Sequence, residues 1–147
     1  MGIRLTALPK CRVFDSGGWT IPNTTWTALT WNSESYDLGD LHSTSANQSR
    51  ITITDAGYYL ISAGVQWAAS SAGTYRYLLL EKNGNTDLAF DSKPPGTAGI
   101  ALTQAISDVQ YLAAGDYFEL YVKHDKGADL TVTAGSANTW LAVTKII

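Results

Sequence analysis

Two stretches of this chain sort their residues by a period of two, the repeat of a β-strand with one buried face. From Gly57 to Trp67 the bulky positions Tyr59, Ile61, Ala63, Val65 and Trp67 fall on one side, and Tyr58, Leu60, Ser62, Gly64 and Gln66 on the other. From Leu112 to Val122, after a turn at Gly115-Asp116, Phe118, Leu120 and Val122 point inward while Tyr117, Glu119 and Tyr121 point outward. The second face of the 57–67 strand has no charge and little bulk. Such a face suits close approach by another protein surface better than open water. The expectation is a β-sandwich that associates with copies of itself.

The remaining strands follow the same signals. Residues 12–14 start a strand that Gly17-Gly18 breaks, and 26–31 alternate Trp26, Ala28 and Thr30 against Thr27, Leu29 and Trp31. Residues 32–40 and 43–49 read as polar loops, with a strand at 50–54 after them. The segment 75–82 ends at Asn83-Gly84, a type I′ hairpin signal, and its partner holds Leu88 to Phe90. Pro94 and Pro95 remove ladder donors from 91–99. In 100–106, Ile100, Leu102 and Ile106 oppose the small Ala101, Thr103 and Ala105. Short strands at 130–133 and 138–147 finish the chain. No helical period is sustained, and eight to ten strands are expected. Residues 1–10 read as an arm and 11–147 as a single all-β domain.

Composition sharpens this picture. Of the 147 residues 16% are charged, below the roughly 25% of ordinary globular proteins, so less surface is committed to water. A net charge of −3, with Lys and Arg scattered singly, gives no basic field for nucleic acid. No apolar run is long enough for a membrane-spanning helix, and residues 1–30 lack the order of a secretory leader. Cys11 is the only cysteine, which excludes an intrachain disulfide and leads to the expectation of synthesis and folding in a reducing cytoplasm. Cys11 itself is expected to be a small buried hydrophobe.

Four motifs in order carry a resemblance: Gly57-x-Tyr59 heading a long strand, Lys82-Asn83-Gly84 closing a hairpin, Leu112-x-x-Gly115-Asp116 before Phe118-x-Leu120-x-Val122, and Ser136-x-x-x-Trp140-x-Ala142. From Arg12 to Ile146 the chain resembles the complement C-one-q globular head, a branch of the tumour-necrosis-factor-like jelly rolls. It departs from the family at Ile51, Ile61 and Ala63, where apolar side chains replace aromatics. The resemblance implies an antiparallel jelly-roll β-sandwich that forms a homotrimer, with the strands at 58–67, 100–106 and 138–146 in the inner sheet. It also implies a trimer interface made by Leu60, Ser62, Gly64, Ala101, Thr103, Ala105, Trp140 and Ala142. For Trp140 an ordinary place in the monomer core stays open. A bare head without a collagen-like stalk looks like the versions found in bacteriophage virions, and implies a capsid decoration protein assembled in the host cytoplasm. Its partners would be its own copies and virion proteins such as the major capsid protein, with Ile3, Arg4, Leu5 and Leu8 of the arm docking on the lattice. The alternative is a trimeric receptor- or glycan-binding head of a tail fibre or a bacterial surface module.

No catalytic constellation, cofactor motif or metal spacing occurs in the sequence, and no enzyme activity is expected. His42 and His124 fall in separate segments and read as solvated loop residues. Asp37, Asp40, Asp125 and Asp129 are loop carboxylates of a kind that binds calcium, but their spacing matches no calcium loop. Trp19, Tyr36 and Tyr75 lie outside the core pattern and are the candidates for stacking on a sugar.

Overall fold

A computed structural model describes residues 7–147, and the described residues form twelve strands without a helix. In chain order they are β1 (Lys10–Phe14), β2 (Trp19–Ile21), β3 (Thr27–Ala28), β4 (Ser33–Leu38), β5 (Ile51–Thr52), β6 (Gly57–Trp67), β7 (Arg76–Lys82), β8 (Thr86–Lys93), β9 (Leu102–Leu112), β10 (Tyr117–His124), β11 (Leu130–Val132) and β12 (Trp140–Lys145). They build two antiparallel sheets. The inner sheet runs β2-β11-β6-β12-β1-β4, with β9 along the other side of β6. The outer sheet runs β3-β10-β7-β8, with β5 also paired to β10.

The alternation read from the sequence decides what lies between the sheets. Tyr59, Ile61, Val65 and Trp67 of β6 are fully buried and meet Leu78 and Leu80 of β7 and Phe118, Leu120 and Val122 of β10. Burying each such side chain contributes about 1.5–3 kcal/mol, which makes this layer the main source of stability. Cys11, Val13, Leu141 and Val143 extend it along β1 and β12. One end is closed by polar groups. Trp67 Nε1 donates to Gln104 Oε1 at 2.6 Å, and Gln104 Nε2 donates to Arg76 O at 3.0 Å and to Asp91 Oδ2 at 2.9 Å. Gln104 thereby ties β9 of one sheet to β7 and β8 of the other.

Several expectations change. Residues 33–38, read as loop, are a strand, because their backbone pairs with β1 although Glu34, Ser35 and Asp37 give the sequence no apolar face. The strand read at 26–31 shortens to Thr27–Ala28, while Leu29 and Trp31 still face the core. Ile100 is not in a strand and is 63% exposed, since β9 begins two residues later and continues to Leu112. Lys10, assigned to the arm, is the first residue of β1, and Pro9 O accepts a hydrogen bond from Lys145 N at 3.0 Å.

Candidate functional site

The outward side of the inner sheet is where most of the small residues singled out in the sequence come together. Register places Trp140, Gly64 and Ala105 side by side across β12, β6 and β9. The next rows are Ala142, Ser62 and Ser107, then Thr144, Leu60 and Val109, with Tyr58 opposite Tyr111 beyond them. Thr103 sits across from Gln66, and Ala101 lies one residue ahead of β9 and is exposed. None of the side chains on these three strands' outward face is charged. Tyr58 is 51%, Leu60 43%, Val109 51% and Tyr111 55% exposed, which is high for apolar side chains lying together.

Trp140 lies on this outward face rather than in the core. Its indole covers Gly64, where an added Cβ would come within 2.8 Å of Nε1. The guanidinium of Arg12 sits over the Trp140 ring at 4.9 Å, held there by a 2.6 Å bond from its Nη2 to Ser136 O. Beside the indole is a hollow of about 240 Å³ lined by Ser62, Ala105, Ser107 and Trp140, large enough for a protruding side chain. Of the arm residues, Leu8 is exposed just ahead of β1, and Ile3, Arg4 and Leu5 lie outside the described residues.

Both histidines are buried, contrary to their reading as solvated loop residues. His42 has Glu34 Oε1 at 2.9 Å from Nδ1 and Gln48 O at 3.0 Å from Nε2, so both ring nitrogens are engaged. It borders a hollow of about 370 Å³ that also includes Asp40, Ser43, Asn47 and Arg50. His124 is fully buried at the end of β10. Its Nε2 donates to Ile21 O at 2.8 Å and its Nδ1 accepts from Lys126 N at 3.1 Å. Burial, more than the neighbouring Arg76 and Lys126, holds its imidazole below the ordinary histidine range. Burial and the carboxylates of Asp37 and Glu34 push the Cys11 thiol far up, which makes it a poor nucleophile.

The four candidate calcium carboxylates do not converge. Asp37 accepts from the backbone N–H groups of Leu41 and His42, and Asp125 accepts from the N–H groups of Thr74 and Tyr75 and from the Thr74 hydroxyl. Among the described residues no group of three or more metal-ligating side chains is assembled. The candidate sugar-stacking aromatics are likewise scattered. Trp19 is half-buried edge-on to Trp31, and its Nε1 donates to Thr30 O. Tyr36 is on β4 under Lys10, and Tyr75 stacks on Tyr77 at 3.9 Å on the opposite sheet.

No protein-family model and no curated protein matches the sequence. The likeness is in three dimensions. Murine APRIL at pH 5.0 superposes with a TM-score of 0.73 at 12% identity, covering 95% of this chain and 99% of that one. The globular domain of zebrafish complement 1qA protein gives 0.68 at 13% identity over 95% and 98% of the two chains. Eiger TNF from S. frugiperda gives 0.64 at 9% identity over 97% and 94%. Identities this low establish a shared architecture and nothing about ligands. The chain has the jelly-roll fold of the tumour-necrosis-factor and complement 1q globular domains.

Proposed function

We propose that this protein is a non-enzymatic structural protein of a virion, a capsid decoration protein that works as a homotrimer. The uncharged outward face of β12, β6 and β9 carries the reading. Exposed Tyr58, Leu60, Val109 and Tyr111 surround small residues and a hollow beside Trp140, a surface that gains by being covered. Three copies sharing an axis cover it with one repeated contact. The virion assignment follows the resemblance to bacteriophage heads of this type.

Light scattering on the pure protein tests the assembly. The expected mass is three times the 15.8 kDa of one chain. Ser62→Arg and Ala105→Arg add charge to the face without a clash inside the protomer, because Ser62 is half-buried and Ala105 exposed. Each is expected to give a folded monomer, since an unpaired buried charge in a contact costs several kcal/mol, about 3–5. A parent protein that is monomeric, or arginine variants that stay trimeric, would remove the reading.

A further inference from the structure

The outward face of the other sheet is built differently, and the groove on it matches a specific chemistry. Trp26, just ahead of β3, and Tyr121 of β10 form its walls, Leu79 of β7 its floor, and Glu81 of β7 and Asp87 of β8 its end, enclosing about 300 Å³. Register explains the grouping, because Tyr121 pairs with both Ala28 and Leu79, Leu79 with Phe90, and Glu81 with Asp87. The rim continues as an aromatic row in which Trp26 lies 5.9 Å from Tyr77 and Tyr77 lies 5.2 Å from Phe90. Trp26 is 41% and Phe90 54% exposed.

Charge selects the occupant. Neither Glu81 nor Asp87 has a hydrogen-bond or ion-pair partner among the described residues. Glu119 stands next to Glu81 across β10, with its own oxygens accepting from Ser49 and Tyr121. Partial burial, then repulsion from Asp87 and Glu119, raises the Glu81 carboxyl. The aromatic wall already attracts a cation, since Lys123 Nζ lies over the Trp26 ring at 5.5 Å. A ligand that slides an apolar stem between two rings and brings positive charge to unpaired carboxylates satisfies all of these groups together. A guanidinium does so best, being planar, able to stack and able to bond a carboxylate through two donors.

We propose that this groove is a docking site for an arginine side chain presented by a partner polypeptide. It lies on the sheet opposite the proposed assembly face, so it stands whether or not the protein is a trimer.

The test uses the full chain and a blocked Gly-Arg-Gly-Arg-Gly peptide, with citrulline and lysine counterparts and a neutral hexose oligosaccharide as alternative probes. Amide NMR shifts are followed during titration. The arginine peptide should saturate shifts around residues 79, 81, 87 and 121, weaken as salt rises, and outbind the citrulline peptide, which keeps the shape without the charge. Glu81→Gln combined with Asp87→Asn should weaken it about tenfold, and Trp26→Ala about threefold. The control pair Asp40→Asn with Asp129→Asn removes the same charge from exposed sites elsewhere and should change affinity less than about twofold. Equal binding of arginine and citrulline peptides, an equal loss in the control pair, or preferential binding of the oligosaccharide at these residues would each overturn the proposal.

Discussion

Gly64 and Trp140 occupy one spot on the inner sheet, and the contact explains why position 64 lacks a side chain. The indole lies where a Cβ would be, so any substitution there displaces Trp140 and Arg12 with it, and Gly64→Arg cannot separate folding from assembly. His124 carries a different constraint. Its Nδ1 accepts a backbone N–H, so protonating that nitrogen sets two donors against each other in a buried site. Burial, and after it the charges of Arg76 and Lys126, lowers its folded pKa, so the unfolded chain takes up the proton first. Stability should be level above about pH 7 and fall as the pH drops through the ordinary histidine value of about 6.5. Urea midpoints measured from pH 7.5 downward check this. His124→Gln should flatten that part of the profile while lowering stability at neutral pH by about 1–2 kcal/mol. A profile unchanged by the substitution would show that His124 does not set the slope.

Among the strands, the β7–β8 hairpin shows local sequence and tertiary contacts agreeing. Asn83 and Gly84 have φ of 54° and 71°, the type I′ geometry their sequence announces. Asn83 also reaches out of the turn: its Nδ2 donates to Asp116 Oδ1 at 3.0 Å, and its Oδ1 accepts from Tyr117 N at 3.0 Å. Asn83→Ala loses both bonds and forces a left-handed conformation on alanine, an expected cost of about 2 kcal/mol in chemical denaturation. Asn83→Gly, which relieves the backbone strain, should recover part of that loss. Strands of this kind were legible because glycine turns bracket a clean two-residue period, as in β6. β4 was not, because a strand at the sheet edge paired only to β1 needs no apolar side and shows none. The rows of small residues on β6 and β9 followed from parity alone. The indole over Gly64, the buried Gln104 and the groove between Trp26 and Tyr121 depend on cross-strand register, which no single segment encodes.

The sandwich carries two different chemistries on its outward surfaces, one where the β6, β9 and β12 side chains are uncharged and one aromatic and acidic, with the apolar layer between them. Because Pro9 and Lys10 are bonded into the inner sheet, a deletion that probes the tether has to stop before them. On the proposed virion role, removal of residues 1–7 is expected to leave the assembled mass unchanged and to abolish attachment to viral particles, read by cosedimentation. Undiminished attachment would exclude the tether. The placement of the groove has a consequence for strength. In the proposed trimer the three grooves, being on the sheet opposite the assembly face, would open away from the common axis. A target carrying regularly repeated arginines would then engage them together, and avidity would turn a fleeting single contact into slow release.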